Sequence, residues 1–183
     1  MSTAFSHDAL VNLAGQWLAR RGNVVVITEL SSAAGETPDA LGFDGAGSTV
    51  IECKTSRSDF KADAQKCFRH EAWRGMGQKR YYMAPKDLLK LEDLPDGWGL
   101  IEISDTGKAR CIRDVGAYFE KNADAEIKLL ISALRRVGQT TPQGVSVKCY
   151  TIQTQCKATL GVAEIEQGET NATTDTAAGE VQE

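Results

Sequence analysis

The chain has no Cys-x-x-Cys pair, and its five cysteines, Cys53, Cys67, Cys111, Cys149 and Cys156, are odd in number. This argues against a disulfide framework or a thiolate zinc site and for reduced thiols packed as small hydrophobes. No apolar run approaches the ~20 residues that a membrane helix requires, so no membrane partner is expected. Met1 to Asp8 lacks the basic-then-apolar pattern of a secretory leader, and the expected location is cytoplasmic. Histidine is scarce: His7 and His70 are isolated, and a lone histidine is more often solvent-facing or hydrogen-bonded than a ligand. There are four prolines, and aromatic residues make up 7% of the chain.

Basic residues are absent after Gly161, where Glu164, Glu166, Glu169, Asp175, Glu180 and Glu183 lie. The net charge of −4 therefore misrepresents the rest of the chain, which carries 21 basic against 19 acidic residues. A mildly basic body keeps nucleic acid open as a partner. The densest positive stretch holds Lys54, Arg57, Lys61, Lys66, Arg69, Arg74, Lys79 and Arg80 against Asp59, Asp63 and Glu71. At 183 residues the chain suits one domain over 1–160, with a core at about 6–113 and a C-terminal helix and strand extension, followed by an acidic disordered tail over 161–183.

Leu10, Leu13, Ala14, Trp17 and Leu18 recur at helical spacing after a Ser6 cap and before Gly22, predicting a first helix. Val24 to Ile27 reads as a strand buried on both faces. Asp39 to Phe43 and Ser48 to Lys54 flank Asp44-Gly45-Ala46-Gly47 and read as a hairpin, whose glycines would supply positive backbone angles. Phe60, Ala64, Cys67 and Phe68 mark one face of a second helix. Strands follow at Tyr81 to Ala84, Gly99 to Ser104 and Lys108 to Ile112. An amphipathic helix bearing Ile127, Leu130, Ile131 and Leu134 comes next, then a last strand within Val145 to Ile152. This order predicts an α/β fold with a mixed central sheet of five or six strands flanked by helices.

Side chains alternate across a strand, so Val50, Glu52 and Lys54 share one face and Ile51 and Cys53 the other. A turn centred between Gly45 and Ala46 pairs residues whose numbers sum to 91, placing Asp39 opposite Glu52 with Cβ atoms on the order of 5 Å apart. Two carboxylates so placed repel unless a cation, a shared proton or a lysine intervenes. Mg²⁺ or Mn²⁺ held by Asp39, Glu52 and the main-chain carbonyl of Cys53 is one resolution. Lys54, on the same face, would then orient or help deprotonate a metal-bound water and offset phosphate charge. The bland alternative for Glu52 and Lys54 is a surface ion pair. Charges on the second helix are as readily a solvated face, with Asp59 and Asp63 serving its N-terminus. Trp73, Tyr81 and Tyr82 read as core before they read as base-stacking groups.

Pro38-Asp39, twelve residues, then Glu52-Cys53-Lys54 resembles the PD-(D/E)XK nuclease pattern. The run from Glu52 to Asp63, with Tyr81-Tyr82-Met83-Ala84-Pro85 and Leu94 to Ile101, is similar to the MmcB-like DNA-repair endonucleases and related phage-borne proteins. The resemblance spans about Val24 to Ile103. It implies a restriction-endonuclease-like core, Asp39 and Glu52 as metal ligands, Lys54 as the catalytic lysine, and hydrolysis of DNA in repair, recombination or phage DNA processing. An additional acid on the first helix is missing beyond Asp8, and Glu29 or Glu36 is the substitute. Arg57, Lys61, Arg69, Arg74 and Lys79 are the expected DNA contacts. Breaking a duplex at two positions would call for a homodimer. The rival readings are a nuclease-fold DNA binder acting as a regulatory or anti-defence protein without cleavage, and an interaction protein whose acidic tail engages a partner.

Overall fold

The structure, a computed structural model, describes residues 5–137 and the backbone of 147–148. Contacts divide the chain into 1–152 and 153–183. The expected tail, Cys149, Cys156 and most of the expected last strand lie outside the described residues.

Helix α1 (His7–Arg20) begins where the Ser6 hydroxyl accepts the Ala9 N–H at 3.2 Å, and the chain leaves it through Gly22 at φ +89°. Strands β1 (Val25–Thr28), β2 (Ala40–Phe43), β3 (Ser48–Cys53), β4 (Lys79–Pro85), β5 (Gly99–Ile103), β6 (Ala109–Arg113) and β7 (Val147–Lys148) form one sheet in the order β6-β5-β4-β3-β2-β1-β7. The pairs β3–β4 and β4–β5 are parallel, and all others are antiparallel. This mixed sheet with flanking helices is the expected α/β, restriction-endonuclease-like core, with seven strands where five or six were expected because the short β7 adds to the β1 edge.

The hairpin register is the expected one: Ala40 faces Ile51, Leu41 faces Val50, Gly42 faces Thr49 and Phe43 faces Ser48. Its turn is made differently. Neither Gly45 nor Gly47 has a positive φ; instead the Asp44 carboxylate accepts the Ala46 and Gly47 N–H groups at 2.8 and 2.7 Å. The residue that closes the reversal is the acid, and the glycines supply space.

One sheet face packs on α1, with Leu10, Val11, Ala14 and Leu18 against Val26, Ala40, Ile51, Cys53, Tyr81 and Met83. The other face carries two separate apolar clusters. Ile27, Leu41, Val50 and Met76 meet Ala125, Leu129 and Ala133 of α4 (Ala123–Val137). Phe60, Tyr82, Ala84, Leu89, Leu94, Trp98 and Leu100 form the second, with Tyr82 stacked on Trp98 at 4.5 Å between ring centroids. Glu52 projects from the same face of β3 as Val50, beside Tyr82 in the β3–β4 register.

Two helical expectations are corrected. The second helix is broken into α2 (Arg57–Asp63) and α3 (Cys67–His70), followed by a 3-10 turn over Ala72–Arg74. Cys67 is exposed, so it does not extend the apolar face of Phe60. In α4 three of the four residues of the expected apolar face point outward, Ile127, Ile131 and Leu134 being 53%, 52% and 72% exposed, while Leu130 is half-buried against the core. The buried side is small and includes Glu126, which accepts from Ser48 Oγ, the Gly77 N–H and Lys121 Nζ at 2.6, 2.9 and 2.7 Å. Those bonds fix the helix's rotation against the pull of its larger apolar residues.

Candidate functional site

The end of β3 gathers the acids. Asp39 directly precedes β2, and its Oδ2 accepts the Cys53 N–H at 2.7 Å, so the carboxylate sits against the backbone between Glu52 and Lys54. Along an extended strand a residue's N–H and C=O share one edge. The Cys53 carbonyl therefore faces the Asp39 side, whereas the Lys54 N–H bonds β4 through the Met83 carbonyl at 2.9 Å. Glu52 and Lys54 are buried, at 1% and 3% exposure, and Lys54 Nζ lies 3.4 Å from Glu52 Oε2 and 3.5 Å from Asp63 Oδ1. This is an interior charge cluster and not the surface ion pair of the bland alternative.

Four further groups complete it. Asp63, expected to serve a helix terminus, is 2% exposed and binds Arg69 Nε at 2.7 Å, Arg69 Nη2 at 3.1 Å, Lys66 Nζ at 2.8 Å and the Tyr82 hydroxyl at 2.9 Å. Arg69, expected to contact DNA, points inward: its side chain is 3% exposed and also reaches Glu36 Oε1 at 3.2 Å and Glu52 Oε1 at 3.0 Å. The helix break makes this possible. On a continuous helix, positions 63 and 69 would lie about 120° apart around the cylinder. Glu36 is buried with both oxygens engaged, Oε2 by the Met76 N–H at 2.7 Å. His7, set aside in the sequence, stands 3.3 Å from Glu29 Oε1 and 3.5 Å from Asp39 Oδ1. Glu29 is half exposed, has φ +50° and, among the described residues, touches the site through His7 and its own N–H to the Asp39 carbonyl.

The electrostatics sort these acids into two kinds. Burial raises the Glu36, Asp39 and Glu52 carboxyls, and Asp39 and Asp63 push Glu52 further up against the pull of Arg69 and Lys54. Burial would lift Asp63 too, but the Arg69 hydrogen bonds and the charges of Arg69, Lys54 and Lys66 outweigh it and hold Asp63 well below the usual carboxylate range. Lys54 is pulled down by burial and more strongly up by Glu52, Asp63 and Asp39, so it is held charged.

The remaining expected DNA contacts fall elsewhere. Arg57 is exposed and paired with Asp93. Lys61 is exposed, with no ion pair among the described residues. Arg74 is half exposed beside Glu71 at 3.3 Å. Lys79 lies on the α1 face, paired in register with Thr49, while Glu52 occupies the opposite face about 10 Å further along the strands. Lys79 therefore does not join the acid cluster. It lines a separate cavity of about 290 Å³ with Trp17, Arg21, Tyr81 and Tyr118. Arg80, part of the same basic stretch, is buried and donates to the carbonyls of Ala72, Gly75, Gly77 and Glu120. Much of the apparent positive patch is internal wiring.

A family model described as DNA repair protein MmcB-like matches residues 3–140. The chain belongs to the MmcB-like family. Among solved structures, this MmcB-like chain is similar to the SPO1766 protein of unknown function from Silicibacter pomeroyi, at 25% identity and a TM-score of 0.53. The match covers 70% of this chain and 86% of that one. No curated protein matches. The MmcB-like assignment connects the chain to DNA repair and hence to DNA. No helix among the described residues is long and apolar enough to cross a membrane.

The donors around Asp39 fit a hard divalent cation. Among the described residues Asp39 Oδ1 has only His7 within ion-pair range, and Glu52 Oε1, although 3.0 Å from Arg69 Nη2, is buried without a hydrogen bond of acceptable geometry. Among the described residues no three His, Cys, Asp or Glu side chains are grouped to hold a metal unaided. Asp39 and Glu52, with the Cys53 carbonyl, are the groups that could hold such an ion, water completing the set.

Proposed function

We propose that the chain is a Mg²⁺- or Mn²⁺-dependent DNA endonuclease of the PD-(D/E)XK type, hydrolysing phosphodiester bonds in DNA repair, recombination or phage DNA processing. One observation carries the reading: the Asp39 carboxylate is hydrogen-bonded to the backbone between Glu52 and Lys54, so that two high-pKa acids and a charged amine meet at the end of a central strand. Asp39, Glu52 and the Cys53 carbonyl would hold the ion, which when bound supplies Lewis acidity and a more acidic water. Lys54 Nζ, kept protonated by its neighbours, offsets charge developing on the phosphate and is not free to act as a base, which narrows the role expected for it. His7 Nε2 orients the open side of Asp39. Solvent reaches the cluster past Asp39, whose side chain is 17% exposed, and past Lys66 at 45%. Lys66, which pairs with Asp63 of the cluster, and Lys61, exposed on α2, would meet a DNA backbone.

The test is incubation of purified protein with labelled single-stranded, duplex, flapped and branched DNA in Mg²⁺, Mn²⁺ or EDTA, beside Glu52→Gln and Lys54→Met variants shown to be folded. Cleavage by the parent in metal alone, lost in both variants, is expected. Cleavage that survives EDTA, or that runs at the parental rate in both variants, overturns the proposal. A second reading, DNA binding without cleavage, is favoured by the depth of Glu52 and Lys54 and by the internal cation beside them. Retarded DNA that is never cut would support it.

A further inference from the structure

Four carboxylates, Glu36, Asp39, Glu52 and Asp63, converge on this site, and three cations answer them: Lys54, Lys66 and Arg69. The balance is one formal negative charge. A single divalent ion turns that into one positive charge, which an incoming phosphate diester cancels. Two would leave three positive charges in a cluster that is largely shut off from water.

The cations are not evenly spread. Arg69 spans Glu36, Glu52 and Asp63 at 3.2, 3.0 and 2.7 Å, and no ion pair joins it to Asp39. Its guanidinium is also 5.1 Å from the ring centroids of both Phe68 and Trp98. A planar fork with several donors, clasped by three acids and two rings, is a fixed component and not a passing contact. Withdrawing it would leave three buried carboxylates facing one another. On the other side of Glu52, toward Asp39 and the Cys53 edge, no guanidinium intervenes.

We propose that the Arg69 guanidinium stands in the place of a second divalent cation, so that the site takes one metal ion, between Asp39 and Glu52, and that removing the Arg69 charge opens a second metal position among Glu36, Glu52 and Asp63. This rests on the metal-binding reading above. Glu52 is the hinge of the arrangement. Its Oε1 faces Arg69 without a proper hydrogen bond, so that oxygen retains donor capacity for an ion once the guanidinium is gone.

The experiment counts Mn²⁺ bound by the full-length protein without DNA, using the electron paramagnetic resonance signal of free Mn²⁺, with thermal melts of each sample. The parent is expected to bind one ion per chain, and Glu52→Gln to abolish it. Arg69→Gln should bind two, with the broadened signal of paired ions, and should gain more melting temperature from Mn²⁺ than the parent does. Arg69→Lys, and Glu36→Gln added to Arg69→Gln, should return the count to one. Two ions on the parent, or one on folded Arg69→Gln, overturns the inference. Should Arg69→Gln fold only with added Mn²⁺, that rescue supports the inference; a protein left unfolded at any Mn²⁺ concentration overturns it. A parent that binds no Mn²⁺ removes the metal reading itself, whereas a parent that binds one ion and cuts no DNA leaves this inference standing and removes the nuclease.

Discussion

Asp63→Asn is the substitution that most directly tests whether the cluster is a structural unit. It keeps the side chain's shape and removes one charge. The Asp63 and Arg69 side chains are 1% and 3% exposed, so water does not screen their attraction, and breaking such a pair costs about 3–5 kcal/mol. Lys66, at 45% exposure, adds little. For a chain of 183 residues each kcal/mol moves the melting temperature by roughly 2–4 °C, so a fall of about 6–20 °C is expected at pH 7 in EDTA, followed by circular dichroism. The pH dependence has a definite sign. Asp63 is depressed in the folded protein, so its contribution is complete above the ordinary aspartate range and is lost as the pH falls through its lower folded value. The gap between parent and variant should persist to mildly acidic pH and narrow only in strong acid. Asp59→Asn, one turn earlier on α2, is the control and should lie within about 0.5 kcal/mol of the parent. An Asp63→Asn protein melting within about 2 °C of the parent, a loss of about 1 kcal/mol or less, would refute the reasoning.

Because the Glu36, Asp39 and Glu52 carboxyls are raised, the folded state holds their protons more tightly, and the metal-free protein should gain stability from them as the pH falls from neutrality toward the ordinary carboxylate range. Urea midpoints across that window check this, and a midpoint that only falls would contradict it. Gly77→Ala puts a Cβ at φ +81°, 2.8 Å from Val50 Cγ2 and 3.0 Å from the Val50 nitrogen, and should cost about 2 kcal/mol or more in a chemical denaturation curve. Asp44→Ala removes the acceptor of two hairpin N–H groups and should cost about 1–2 kcal/mol while leaving Mn²⁺ binding intact; an unchanged melt would show that the turn closes without it.

The hairpin was legible in the chain because strand alternation and a four-residue turn leave one register that buries Val50, Ile51 and Cys53, and that register alone brings Asp39 to Glu52 and Lys54. The rest of the cluster was not legible, for a definite reason. Asp63 and Arg69 meet because the helix stops after Asp63 and restarts at Cys67, a break that the apolar spacing of Phe60, Ala64, Cys67 and Phe68 does not record. The spacing Asp63, Lys66, Arg69 was a signal of sorts, an acid followed by two bases. Read on an unbroken helix, it pointed Arg69 at solvent. In α4 the pattern of Ile127, Ile131 and Leu134 outranked Glu126 by hydrophobicity, yet three hydrogen bonds to one buried carboxylate set the helix's orientation. Local pattern located the elements; long-range charge decided two of their faces.

β3 is the fourth of seven strands, with every residue buried and a neighbour on each edge. Amides in such a position exchange with deuterium only when the whole domain opens, while margins and loops breathe independently. A charge cluster rooted there is insulated from the fluctuations of the periphery. An exposed turn such as 104–108 can therefore drift in evolution without disturbing the groups at the middle of the sheet.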